Sequence, residues 1–311
     1  MQALLDVILP VFLVLGAGYL AARARLFDEG AVDGVMRFAQ TFAVPTLLFR
    51  GVARLDLGQA FDPGLMGAFY AGVVVAYGTG FAAARAVFGR SPADALAIGF
   101  AAAFSNTLLL GLPITERAYG SQALAGNYAI ISLHAPFLYV IGISLMEWTR
   151  ARGSGLSSRA VSGLIGRGLV SQPLVIGITA GLAVNLTGLP LPGVAWSALD
   201  MIAVAAIPVA LFGLGGVLNR YRPEGDRATI AMVCAVSLIL HPAVTFGMGH
   251  LLGLSEAAMR SAVITAAMAP GVNAYLYANL YGAARRVSAS AVLFGTAGCL
   301  VTAWVWLQLL P

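Results

Sequence analysis

In "AFSNTLLLGLPITERAYG", residues 103–120, polar and helix-interrupting residues sit inside a long apolar run. Such residues need partners there, because hydrocarbon supplies none. Asn106 carries two N–H donors, and Ser105 and Thr107 each carry a hydroxyl. Gly111 admits unusual dihedrals and Pro113 withholds an amide donor. The stretch "AAMAPGVNAYLYANLYG", residues 266–282, repeats the mixture with Pro270, Gly271 and Asn273. Interrupted helices expose half-helix N-termini, which carry partial positive charge. A Pro suits the first turn of a second half-helix, the place expected for Pro113 and Pro270. Asn106 then stands on the first half-helix, beside a break at Gly111 and Pro113. Two such N-termini with two Asn amides suit an anion, above all a carboxylate, held without a formal cation. The candidate binding set is Asn106, Ser105, Thr107, Gly111, Pro113, Pro270, Gly271 and Asn273, with Pro45 of "FAVPTLLF" added.

Among the ionisable residues within apolar runs, three are candidates for coupling a proton or cation to that chemistry: Asp200, His134 and His241. The competing readings are an interfacial acid that caps or pairs, and histidines satisfied in a core. Cys234 and Cys299 lie far from any metal-ligand spacing and read as small core residues. No metal and no cofactor is expected. There is no His/Glu pair at metal spacing, no Ser or Cys with a plausible base and no phosphate-cradling glycine loop, so an enzyme is not the reading.

The elements that must carry these residues follow from composition. The chain of 311 residues is 59% hydrophobic and 10% charged, with a mean hydropathy of +0.87, which fits a polytopic membrane protein in a lipid bilayer. Ten apolar runs are long enough to cross it as helices: 3–22, 32–53, 64–88, 94–118, 124–148, 169–187, 193–217, 228–252, 257–281 and 287–309. The first lacks the basic start and cleavage site of a signal peptide and is kept as a span. All 18 basic residues are Arg; thirteen fall in the odd-numbered loops, and Arg54, Arg117 and Arg260 in the even ones. The positive-inside rule therefore makes the odd loops cytoplasmic and both termini periplasmic. The net charge of +5 is topological, and no nucleic-acid partner is expected.

Helix 2 and helix 7 share a pattern at an offset of 163, pairing Pro45 with Pro208, Leu48 with Leu211 and Phe49 with Phe212. Helices 4 and 9 pair Tyr119 and Gly120 with Tyr281 and Gly282 at 162. With five helices in each half, the second enters the membrane from the opposite side. The expected fold is an all-α membrane protein of ten transmembrane helices in two inverted five-helix repeats, with broken helices 4 and 9 crossing at the midplane. Residues 1–148 form the first repeat, 149–168 a cytoplasmic linker and 169–311 the second repeat.

"RFAQTFAVPTLLF", "SNTLLLGLPITERAYG" and "LDMIAVAAIPVALFGLGG" resemble the second, fourth and seventh helix motifs of the auxin efflux carrier family. That family includes the plant PIN auxin carriers and bacterial carriers proposed to move malonate or related organic acids. The resemblance implies a scaffold domain and a transport domain, each formed from both repeats, with two crossed broken helices and elevator-type alternating access. It implies that Asn106 faces substrate, and it shows an acid at the place of Asp200. Helix 9 departs from the plant pattern: "APGVNAY" lacks a Gln and a second Pro and supplies Asn273. The expectation is a secondary transporter of small organic anions, malonate-like dicarboxylates or auxin-like indole acids. The alternatives are an anion channel or pore and a solute-sensing membrane receptor. The Arg-only, Ala-rich composition places it in a bacterial inner membrane, with a homodimer through the scaffold as the expected assembly.

Overall fold

A computed structural model of the chain describes residues 2, 4–154 and 172–310. The expected linker 149–168 lies outside the described residues beyond 154, and the preceding helix runs on to Ser154. In chain order the α-helices are α1 (Leu9–Arg23), α2 (Glu29–Phe38), α3 (Val44–Ala53), α4 (Leu57–Ala60), α5 (Pro63–Ala86), α6 (Pro92–Ala103), α7 (Leu112–Tyr119) and α8 (Ala125–Ser154). They continue as α9 (Pro173–Thr187), α10 (Gly193–Arg220), α11 (Arg227–Ala235), α12 (His241–Leu251), α13 (Glu256–Ala266), α14 (Val272–Tyr281) and α15 (Arg285–Leu309). Among the described residues six helical stretches are long and apolar enough to cross a membrane: Leu4–Arg23, Pro63–Ala86, Ser121–Arg150, Gly193–Arg220, Arg227–Leu251 and Arg285–Leu309. The protein is an all-helical, multi-pass membrane protein.

Four joints share one register. Wide π-turns at Leu4–Ile8, Ala39–Ala43, Thr107–Gly111 and Val236–Leu240 each end two residues before a proline: Pro10, Pro45, Pro113 and Pro242. A proline ring collides with the carbonyl four residues earlier and removes its donor, and a widened turn moves that carbonyl aside without ending the helix. Two of the freed carbonyls gain side-chain donors. Asp6 O accepts from Arg117 Nε and Nη2 at 3.1 and 2.6 Å, and Leu238 O accepts from Trp306 Nε1 at 3.0 Å.

The chain divides into two compact units, each drawn from both halves of the sequence. One comprises Leu9–Ala60 and Gly166–Arg220. Its helices touch backbone to backbone through glycines. Gly18 faces the Phe212 carbonyl and Gly215 that of Leu15, which joins α1 to α10. Gly177 and Gly181 face the backbones of Pro45 and Phe49, which joins α3 to α9. Asn185 Nδ2 donates to the carbonyls of Val52, Ala53 and Leu55 at 3.0, 3.2 and 2.7 Å, satisfying the end of α3.

The other unit comprises Met1–Ile8, Phe61–Ile165 and Tyr221–Pro311. Its helices start on side-chain caps: Asp62 on Gly64, Ser91 on Asp94, Asp226 on Ala228 and Ser255 on Ala258. Asp226 also accepts from the Thr229 hydroxyl at 2.6 Å and from Arg90 at 3.0 Å. These partners hold its carboxyl below the usual range, the Thr229 bond foremost. Inside the unit Tyr277 stacks on Phe100 with centroids 4.0 Å apart and donates to Gly142 O at 2.6 Å.

Candidate functional site

The chain leaves helical geometry after Ala103, and Phe104 (φ −83°, ψ 83°) and Asn106 (φ −77°, ψ 64°) each centre an inverse γ-turn, closed by Ser105 N–H donating to Ala103 O at 3.1 Å and Thr107 N–H to Ser105 O at 2.9 Å. It leaves it again between Ala266 and Val272. The two interruptions pair with each other. Asn106 N–H donates to Ala269 O and Gly271 N–H to Phe104 O, both at 2.8 Å, with Ser105 opposite Pro270 as an antiparallel bridge. Backbone groups released in the interior thereby satisfy one another. Pro270 takes a position whose N–H the bridge does not use.

This geometry moves the first break from where the sequence puts it. The interruption is at 104–106, not at Gly111 and Pro113. Gly111 closes the π-turn and Pro113 sits buried in the first turn of α7, in a helix continuous with it. Asn106 is accordingly not on the first half-helix: it is the N-cap of the second, its Oδ1 accepting from Leu109 N at 3.2 Å. Its amide nitrogen has no protein partner among the described residues. Asn106 is 8% exposed, Thr107 is buried, and Ser105 is fully buried with its hydroxyl unpartnered.

The second break is shaped by close contacts. A Cβ at Gly295 of α15 would lie 2.6 Å from Pro270 Cδ, and one at Gly271 would lie 3.3 Å from the Phe104 ring. Gly111 faces Met268 Cγ at 3.4 Å. Gly271 is the N-cap of α14, and Asn273 stands half-buried one residue into it. Both N-caps, Asn106 and Gly271, thus belong to the bridged pair, and the positive ends of two helices begin there.

The structure gathers Ser105, Asn106, Thr107, Gly111, Pro270, Gly271 and Asn273 around one feature of one unit. Pro45 belongs to the other unit, where its backbone packs on Gly177. Asp200 is in that unit too, half-exposed and 2.7 Å from Arg50 Nε and 3.8 Å from Arg54 Nη1. His134 and His241 are in the unit of the breaks and fully buried. The His134 ring lies 4.9 Å from that of Phe104 and 5.3 Å from Phe69, and the His241 ring 5.5 Å from Phe69.

One contributor is not among the sequence candidates. Asn127 of α8, fully buried, donates through Nδ2 to the hydroxyls of Thr115 at 3.0 Å and Thr265 at 2.8 Å. It ties the helix after the first break to the helix before the second. Its signal is the same as that of Asn106, an amide within an apolar run with a glycine, Gly126, beside it.

Comparison with known proteins places these features in context. The sequence profile of the family described as membrane transport protein matches residues 3–307. A protein of Rhizobium meliloti (strain 1021) named putative malonate transporter is 24% identical over 298 residues, 95% of this chain and 92% of that one. The uncharacterized transporter YfdV of Escherichia coli (strain K12) is 24% identical over 304 residues, 96% and 95% of the two chains. Auxin efflux carrier component 5 of Arabidopsis thaliana is 22% identical over 227 residues, 61% and 63%.

Proposed function

Because the chain belongs to the membrane transport protein family, we propose that it is a secondary carrier of small organic anions, with the carboxylate held at the two paired breaks. The observation that carries this reading is the bridged pair Phe104–Asn106 and Ala269–Gly271, from which two helices start with their positive ends and beside which the Asn106 amide is free to donate. Anion, amide donors and helix termini match in charge and need no metal. The names of the relatives favour carboxylates, malonate-like dicarboxylates before indole acids, since Asn273 replaces the plant pattern in the second break.

On this reading the breaks are the crossing points of two inverted repeats of five membrane helices. Element ends support it: Ser91 and Ser255 cap equivalent helices, which end at Ala103 and Ala266, and the following helices end at Tyr119 and Tyr281. Movement is of the elevator type. The unit that holds both breaks carries the anion, and the glycine-joined unit of α1, α3, α9 and α10 is the scaffold. Asp200, paired with Arg50 and Arg54, belongs to that scaffold and not to the anion site.

The test is counterflow. Liposomes holding the purified protein and loaded with unlabelled malonate should take up labelled malonate with saturable kinetics and without a steady current. Ohmic single-channel current under the same gradient would make the protein a pore. Failure of a panel of mono- and dicarboxylates to exchange would remove the anion reading.

A further inference from the structure

In the unit that holds the breaks, Asp6, Glu116 and Arg117 stand near the ends of their helical stretches, and the long apolar stretches between are free of fixed charge. Residues 63–84, 95–115, 118–146, 228–255, 261–284 and 287–310 contain no Asp, Glu, Lys or Arg. An organic dianion carried by this unit would cross with no compensating side-chain charge, which a low-dielectric interior penalises. The side chains within these segments whose ordinary pKa lies near neutrality are histidines. The chain has three, His134, His241 and His250.

His250 is exposed at the end of α12. The other two are 1% and 0% exposed. Both rings pack on one aromatic residue, Phe69, at 5.3 and 5.5 Å. None of their four ring nitrogens makes a hydrogen bond of normal geometry with the protein. The Ser105 backbone lies beside His134 and the Phe69 backbone beside His241. Buried polar nitrogens are ordinarily partnered, so two adjacent imidazoles with all four unpartnered are an exception that calls for a ligand. Space has been kept for the pair: a Cβ at Gly72 of α5 would lie 2.8 Å from His241 Cδ2. His134 also connects directly to the anion site, since it packs on Phe104, whose carbonyl accepts from Gly271.

We propose that His134 and His241, both packed against Phe69, are the proton site of this carrier. The pair binds one proton from water when the anion occupies the breaks and releases it when the anion leaves. The imidazolium supplies the positive charge that the carrying unit otherwise lacks, so a dicarboxylate crosses with one negative charge fewer. Only one proton is held, because two imidazolium rings this close repel. The other titratable groups on the surrounding elements include the phenols of Tyr70 and Tyr77 on α5, Tyr119 on α7, Tyr128 and Tyr139 on α8 and Tyr275, Tyr277 and Tyr281 on α14, and the thiols of Cys234 on α11 and Cys299 on α15. Their ordinary pKa values of about 8.5 to 10 leave them neutral at neutral pH. The charged Arg85 late in α5, Asp94 at the start of α6, Glu116 and Arg117 late in α7, Glu147 and Arg150 late in α8, and Glu256 and Arg260 at the start of α13 stand towards helix ends. This inference rests on the anion-carrier reading for its purpose, but not for its test.

Full-length protein labelled with 15N-histidine in lipid nanodiscs gives three imidazole signals, assigned with His250→Gln and His241→Gln and by elimination for His134. Between about pH 5 and 8, the pair should take up a single proton, distributed over both rings, and His241→Gln should shift the His134 titration. Saturating malonate should raise the midpoint by about one pH unit, a tenfold gain in proton affinity, and Asn106→Asp, which sets a carboxylate there permanently, should raise the malonate-free midpoint and abolish any further rise with malonate. If both rings stay neutral to pH 5 with and without malonate, the proposal is overturned. If the pair titrates but neither malonate nor other carboxylates move it, the proton site stands and the anion reading falls.

Discussion

Asn106 has two jobs that a single substitution can separate. Its Oδ1 caps the helix that begins at Thr107, and its Nδ2 is the donor offered to an anion. Asn106→Ala removes both: the lost donor should cost about tenfold to a hundredfold in malonate affinity, roughly 1.5–3 kcal/mol for a charge-assisted bond, and the lost cap about 1 kcal/mol of stability. Asn106→Asp keeps a capping oxygen but sets a negative charge against the anion. It should therefore hold the thermal midpoint of the parent while losing more affinity than the Ala variant. Equilibrium binding of malonate and thermal unfolding of the empty protein, measured on both variants, check this; tight malonate binding by Asn106→Asp at neutral pH would remove the anion from the crossing. Asp200 shows how far a residue's meaning depends on neighbours. Within the sequence it is an acid in an apolar run, whereas in the fold two arginines one turn apart, Arg50 and Arg54, account for it.

At the scale of elements, the second break depends on what packs against it. Pro270 fits beneath α15 because residue 295 is a glycine, and a methyl there would come within 2.6 Å of the proline ring. Gly295→Ala should therefore overpack the junction at a cost of roughly 1–3 kcal/mol and slow malonate exchange, because the ring and the bridge to Ser105 must shift. Gly247→Ala, on α12 with open space around it, serves as the comparison and should be neutral or stabilising by up to about 1 kcal/mol. A thermal midpoint for Gly295→Ala as high as that for Gly247→Ala would show that the fit at Pro270 carries no energy. The ends of the two broken stretches are held in matching fashion. Arg260 lies 4.7 Å over the Tyr119 ring and Arg150 4.7 Å over the Tyr281 ring, cation–π contacts at the Tyr-Gly pairs that close α7 and α14.

For the molecule as a whole, the arginine distribution makes an orientation testable. Arg222 is exposed between α10 and α11, in an arginine-rich loop, and Leu189 is exposed between α9 and α10, in a loop without arginine. In a chain whose Cys234 and Cys299 are replaced by Ala, a cysteine at 189 in intact cells should react with a membrane-impermeant maleimide. One at 222 should react only after the membrane is opened. The reverse pattern would invert the orientation, and with it the side on which the arginine-rich loops lie.

By itself the sequence determined the class of the protein: helical, membrane-embedded and of a transporter family, with two stretches that mix Asn, Gly and Pro into apolar runs. These are local or additive properties, set by hydrophobic length, by composition and by residues whose conformational limits travel with them. It did not determine where the first helix breaks. Pro113, the strongest local breaker in "SNTLLLGLPI", is absorbed by a π-turn. The non-helical residues are Phe104 to Asn106, which have no strong local reason to leave the helix. Their reason is Ala269 and Gly271, more than 160 positions away, whose carbonyl and amide complete the bonds that the helix gives up. The tertiary structure likewise decided that Asn127 ties α7 to α13, and that two histidines 107 positions apart both pack on Phe69. Each depends on partners brought together only when the helices pack, and no spacing along one helix encodes them.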